Sequence, residues 1–471
     1  MPVNRGIPRL GVDQAIARAL AIAGSVTGKR LVDSTLWAVV SEVLSRGLLF
    51  LGMIAVARLL STDAYGEFGL VRSTITVFAT VGGMGLGLTA NRFVAQHRAS
   101  NARLAGHIIG ASLSLALLSG VLVGGTVTLA AESIATALLH APGIANSLRL
   151  AGFMLVLSAV SGAQMGILQG LEAYRQIAFG SLGQGLVAIA ALVFGTRYFG
   201  LPGALMGLLA YSITGVVVLH VQVTSALRRA GITAFYGNLR ETLPIFWSFS
   251  LPVMLAGVAI APLKWLAEIL LARTVGFSEL GVFTAAMTMV AMLSAVVSTL
   301  NAPLLSLAAA HVAQTSKRID YASYYGSWYA SLALLSPVVV FPRVVSLVFG
   351  PQFNNQSFHR VVVLMALYVA LMMYYQGVAR QLALRGSMWF GLGTNLVEGA
   401  TLMAAFVAFG SYGAVGLAAA YVMSYVVRIA VTLPILVRRG LVRRELLLDR
   451  AFTVSGISLL AVVCLQLAAL R

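Results

Sequence analysis

Apolar runs of bilayer-spanning length follow one another along this chain, separated by short polar connections. They fall at roughly 34–57, 67–90, 105–131, 148–171, 177–199 and 203–227, then at 245–271, 280–305, 321–349, 361–384, 388–410 and 414–437. A weaker thirteenth run covers 452–470. A spanning helix needs about 20 mostly apolar residues, so each run predicts one spanning helix. Residues 12–22 predict a short amphipathic helix on the cytoplasmic surface. The pattern predicts an all-α polytopic membrane protein: two six-helix bundles and an extra C-terminal helix. Its expected divisions are a cytoplasmic segment (1–32), a first bundle (33–228), a linker (229–244), a second bundle (245–438) and a basic tail with the extra helix (439–471).

A faint internal repeat supports the two halves. Ala57, Arg58, Gly66 and Phe68 recur as Ala272, Arg273, Gly281 and Phe283, each 215 positions on. Both stretches sit between the first two helices of a half. Six is an even number of crossings, so the halves share one orientation and relate by an axis along the membrane normal. The same offset maps Lys264 and Glu268 onto Leu49 and Met53. Positions 42, 46, 49 and 53 form one helical stripe, so the pairs Glu42/Arg46 and Lys264/Glu268 occupy equivalent faces at different depths. The first and seventh helices are expected to face each other across a cationic cavity. Pro252 and Pro262 predict a bend in the seventh helix.

Composition agrees with membrane residence. Of 471 residues, 59% are hydrophobic and 10% charged, and the mean hydropathy is +0.92. The net charge of +18 would suggest nucleic acid in a soluble protein; in this chain it follows the positive-inside rule, with anionic lipid as neighbour. Lys and Arg concentrate in alternate connections, which places the N-terminus inside a plasma (inner) membrane. The single cysteine, Cys464, excludes an internal disulfide, and no Cys/His metal pattern exists. No removable signal peptide is read. Neither nucleic acid nor a cofactor is expected, and the chain is read as a monomer among membrane lipids.

Five basic residues remain at membrane depth: Arg46, Arg72, Lys264, Arg380 and Arg428. Such charges are costly and face cavities or partners. Arg binds phosphate through a bidentate fork and stays protonated. These five are the substrate-binding candidates, against structural pairing for Arg46 with Glu42 and Lys264 with Glu268, and snorkelling for Arg72 and Arg380. Glu42, Glu268 and Glu398 are the acids well inside the runs and the candidates for coupling to H+ or Na+, with salt bridges as the alternative; the membrane potential could also drive transport. Arg58 and Arg273 read as interface anchors. Tyr374, Tyr375 and Gln376 could contact sugar or mark a helix interface. Gly162, Gly166 and Gly170 read as close helix packing. The glycines at 85 and 87 fit a dinucleotide fingerprint loosely but lie in a membrane helix with no preceding strand. The stretch 24–30 falls short of a phosphate-binding loop.

At several motifs the chain resembles lipid-linked oligosaccharide (O-antigen/polysaccharide) flippases of the multidrug/oligosaccharidyl-lipid/polysaccharide exporter superfamily. The motifs are ARLLSTDAYGEFGL at 57–70, GLGLTANRFVAQHR at 85–98, ILQGLEAYRQIA at 167–178, LVFGPQF at 347–353 and ARQLALRGSMWF at 379–390. The resemblance implies two bundles around a cationic cavity. It implies an undecaprenyl-diphosphate-linked oligosaccharide as cargo, moved by alternating access from the inner to the outer leaflet, with a glycan polymerase as partner. Ser45-Arg46 matches a Ser-Arg of the related lipid II flippases. Gly52-Met53 stands where those carry Arg-Asp, which argues against lipid II as cargo. The rival readings are a cation-coupled multidrug antiporter of the same superfamily, a membrane-embedded polymerase or ligase, which would need larger outer loops, and a scaffold, which would need no deep charges. No enzymatic activity is expected.

Overall fold

A computed structural model describes residues 43–299, 317–384, 388–439 and 450–470, apart from positions 45, 84, 238 and 247–249. The expected cytoplasmic helix at 12–22, Glu42 and Ser45 lie outside the described residues. The described elements are helical, with no strand among them. In the first half they are α1 (46–59), α2 (Thr62–Gly82), α3 (Leu86–His97), α4 (Ala102–Ser133) and α5 (Ala145–Gly170). Tyr174–Ala230 is far too long for one crossing at 1.5 Å per residue. It turns at Gly200, φ 60° and ψ −135°, a backbone conformation that glycine adopts without steric cost. Two helices result, α6 (174–199) and α7 (201–230). They run antiparallel, since Gly195 meets Gly203, Leu192 meets Gly207 and Gln222 donates to the Gln176 carbonyl.

The second half holds α8 (Leu239–Ile245), α9 (Leu251–Val258), α10 (Ala261–Thr274), α11 (Phe277–Ser298), α12 (Lys317–Val340), α13 (Pro342–Phe349), α14 (Gln356–Leu384), α15 (Met388–Phe409), α16 (Gly413–Arg438) and α17 (Arg450–Ala469). Seven helical stretches among the described residues suit a membrane crossing, and two bent pairs pass the same test together. The chain is a multi-pass membrane protein.

Three predicted runs are interrupted rather than continuous. The seventh breaks at 259–260, because Pro262 in the first turn of α10 has no N–H to extend α9. The second breaks between α2 and α3, where Gly85 takes φ 65°; Gly85 caps the new helix at the break, and Gly87 lies in its first turn. The ninth ends at Val340, and α13 leaves it at 80°, with Pro342 opening the new direction. The thirteenth run is a helix anchored to the second half. Phe452 stacks on Tyr374 with centroids 4.8 Å apart, Trp328 Nε1 donates to Ser455 Oγ at 3.1 Å, and Arg360 Nε donates to the Leu470 carbonyl.

The contact between halves reveals their symmetry. Thr62 Oγ1 lies 3.0 Å from Ser278 Oγ, Gly66 touches Gly281, Gly69 touches Thr284, and Arg72 Nη1 donates to Thr288 Oγ1 at 3.2 Å. Each pair joins positions 215 or 216 apart, so α2 packs on its own counterpart, α11. The pairs advance in the same direction, so the two helices are parallel. Equivalent helices in parallel contact straddle a two-fold axis along their own direction, as the repeat predicts. A Cβ on Gly66 would stand 2.0 Å from the Phe277 carbonyl oxygen, so glycine is what lets the two backbones meet. Nearby, Arg58 Nε donates to the Val348 carbonyl at 2.7 Å and its Nη2 to that of Leu347. Arg58 is therefore a clamp between the lobes. The connection after α7 lies on the first lobe: Phe235 N donates to the Gly106 carbonyl at 3.1 Å, in a groove left by Gly106 and Gly110.

Candidate functional site

The break before α10 sets the site. Lys264 lies in the first turn of the restarted helix, its amide bonded to the Ile260 carbonyl at 3.1 Å. Its Nζ reaches Glu398 Oε1 on α15 at 2.9 Å. Arg428 on α16 pairs with the other oxygen, Oε2, through Nη1. The ion partner of Lys264 is thus Glu398, 134 residues on, and not Glu268 one turn along its own helix. Arg428 Nη2 also donates to Asn395 Oδ1 at 2.8 Å and Thr394 Oγ1 at 3.2 Å. Glu398 is 1% exposed and Arg428 8%, so one buried carboxylate serves two cations and the cluster keeps a net positive charge.

Tyrosines enclose it. Lys264 Nζ donates to Tyr368 OH at 3.2 Å and stands 5.6 Å from the Tyr421 ring centroid. The Arg428 guanidinium lies 4.1 Å over Tyr375 and 5.4 Å from Tyr425. Ring faces carry partial negative charge and hold cations at such distances, more strongly where water is excluded. Among the described residues, buried polar atoms of the cluster without a hydrogen-bond partner are Tyr421 OH, Arg428 Nε and Glu398 Oε1, the last held by Lys264 as an ion pair. An arrangement with surplus positive charge and unfilled donors can accept an anionic group.

A second centre lies one turn along α10, on the boundary with the first lobe. Arg72, Ser73 and Lys264 surround the Glu268 carboxylate. Arg72 Nη1 also reaches Met53 Sδ at 3.7 Å, and Tyr65 OH lies 3.3 Å from Thr288 Oγ1. Arg72 therefore touches Met53 of its own half and Thr288 of the other, with the Glu268 carboxylate in its field, close to the symmetry axis. Rather than snorkelling from a helix end, it joins the lobes. Trp265 Nε1 donates to Thr74 Oγ1 at 2.9 Å beside this centre.

The structure thus brings Lys264, Glu398 and Arg428 into one cluster, with Glu268 and Arg72 adjoining it. Arg380 stands elsewhere on α14, 6% exposed, donating to Ser327 Oγ at 3.0 Å; it is buried rather than snorkelled. Arg46 is exposed on α1, beside Gly47 and Leu48, which pack on Met292 and Gly185. Sequence reasoning missed Tyr368, Tyr421, Tyr425, Thr394 and Asn395. A signal was present: Tyr421, Tyr425 and Arg428 step by four and three along one helical face, as Thr394 and Asn395 step to Glu398.

Comparison with known proteins agrees with this architecture. The family described as "Polysaccharide biosynthesis protein" matches residues 31–307. A multidrug resistance MATE family transporter of the MOP superfamily, in an inward-facing conformation, superposes with TM-score 0.70 at 16% identity, over 85% of this chain and 98% of that one. The lipid II flippase MurJ, in an inward closed conformation, gives 0.67 at 9% identity, over 92% and 97%. A MOP superfamily transporter from Pyrococcus furiosus gives 0.66 at 16% identity, over 89% and 97%. A search of curated proteins finds no match.

Proposed function

The chain belongs to the polysaccharide biosynthesis protein family and has the fold of MOP superfamily transporters, and from that premise we propose that it flips a polyprenyl-diphosphate-linked oligosaccharide across the membrane. The observation that carries the reading is the cluster itself: Lys264 and Arg428 sharing one carboxylate among spanning helices. A buried cluster with surplus positive charge is costly to keep, and a diphosphate headgroup is the anion that would complete it. Lys264, Arg428 and Arg72 are the proposed headgroup contacts, and Arg46 and Arg380 the outlying ones. Undecaprenyl diphosphate is the proposed carrier, and a glycan polymerase the downstream partner, in a plasma (inner) membrane with the N-terminus inside.

Transport against a gradient needs a coupling step. Glu398 is engaged by two cations, so Glu268, placed between Arg72 of one lobe and Lys264 of the other, is the proposed coupling acid. Reorientation of the lobes would change its neighbours. The test is leaflet translocation in reconstituted vesicles, with undecaprenyl-diphosphate-linked oligosaccharide extracted from the native membrane. Accelerated transfer by the wild type, lost in an Arg428→Met, Lys264→Met variant of normal yield, is the expected result. Wild-type vesicles that leave the lipid in place while exporting cationic drugs would replace this reading with a multidrug antiporter.

A further inference from the structure

The glycine stripe of α5 divides in its contacts. A Cβ on Gly166 would stand 2.0 Å from the Gly87 carbonyl oxygen, and one on Gly170 would be 2.9 Å from that of Asn91. Those two glycines do bring α3 and α5 together. Gly162, one turn away, joins this contact only through its carbonyl, 2.6 Å from where a Cβ on Gly87 would stand; a Cβ on Gly162 itself would meet nothing within 4 Å. It opens on a cavity of about 350 Å³ between α2, α3, α5 and Met254 of α9. The size falls in the range of small-ligand pockets.

Three features define what fits there. The cavity is bounded by the α2–α3 break at Gly83 and Gly85. Non-helical backbone at membrane depth persists where protein buries it or water reaches it, so the break makes this wall polar. Thr80 and Ser158 add hydroxyls. No charged or aromatic side chain lines it among the described residues, whereas the cationic cluster lies on α10, α15 and α16. Met254 belongs to the second lobe, so the cavity opens on the boundary between lobes.

We infer that this uncharged crevice of the first lobe is the subsite for the sugar portion of the cargo, holding hydroxylated rings while the cationic cluster of the second lobe holds the diphosphate. The inference rests on the flippase reading, and it splits recognition of one amphiphile between the two lobes. Gly162 is then a size gate, because its missing side chain is the space a sugar ring uses.

The test fills that space and varies the cargo. In vesicles, Gly162→Leu is compared with wild type and with Gly183→Leu, a position equally open on α6. Two cargoes are used: the native undecaprenyl-diphosphate oligosaccharide and the same lipid trimmed enzymatically to its first sugar. Gly162→Leu is expected to slow the full oligosaccharide by about tenfold or more, the scale of a single steric conflict, and to leave the one-sugar lipid and the Gly183→Leu control unchanged. Equal loss of both cargoes would assign the crevice to the prenyl chain or to packing and overturn the inference, as would no loss at all. Wild-type vesicles moving neither cargo would refute the flippase reading instead. A second measurement avoids the bulky variant: Gly162→Cys in a Cys464→Ser background, where the only native thiol is gone. Protection from a small polar maleimide by the oligosaccharide lipid but not by the one-sugar lipid is expected; identical labelling in both would overturn the proposal.

Discussion

Where the first lobe places Leu49 and Met53, the second places Lys264 and Glu268. Their shared packing survives in the α2–α11 contact, where Gly66 meets Gly281. Their polar contents have separated. The first lobe packs glycine against backbone, as at Gly87 with Gly166 and Gly124 with Gly152, and leaves an uncharged crevice. The second fills its interior with tyrosines and a three-member ion cluster. A scaffold held together by backbone contact tolerates such divergence, because the helices meet without depending on what the other faces carry. Among the described residues the fully buried charged side chains, Arg380, Glu398 and Arg428, lie in the second lobe.

That contrast can be broken by four changes, in falling order of effect. Glu398→Ala leaves the buried Arg428 and the partly buried Lys264 without their anion, and loss of one member of such a group costs about 3–5 kcal/mol. Thermal unfolding in detergent should show the largest drop here, and an unchanged midpoint would mean that the cluster is hydrated. Gly66→Val forces α2 from α11 and should cost about 1–3 kcal/mol; cysteines at 62 and 278 should then cross-link more slowly. Lys264→Met leaves Arg428 and Glu398 as a one-to-one pair, so stability should fall by only about 1 kcal/mol. Lipid translocation should nevertheless fall by tenfold or more, a separation that a purely structural lysine would not produce. Arg58→Ala removes an exposed clamp worth about 1 kcal/mol at most. Its readout is faster maleimide labelling at position 62, with the unfolding midpoint almost unmoved.

Much of the architecture was legible in the chain. Spanning runs announce themselves because bilayer thickness dictates length, and the offset repeat located the symmetry axis through Gly66 and Gly281. The breaks were legible only where proline marked them. Pro262 signalled the interruption before α10, whereas Gly85 gave no warning, since glycine is common in spanning helices. The site was half legible. Lys264, Glu398 and Arg428 stood out as charges at depth, but spacing along one helix favoured Glu268 as the partner of Lys264. The actual partner comes from a different helix, and a tertiary pairing leaves no local trace. The tyrosine cage was overlooked because tyrosine in an apolar run reads as ordinary packing.

The linker stretch lying in the groove of Gly106 and Gly110 has a mechanical corollary. Because it is fastened by main chain and by the stacking of Phe235 on His107, it travels with the first lobe as ballast. Any rocking of the second lobe against the first would then hinge on chain beyond residue 236. Lengthening the chain there with flexible residues would loosen the gearing between the lobes, whereas the same insertion within 231–236 would unseat the strap itself.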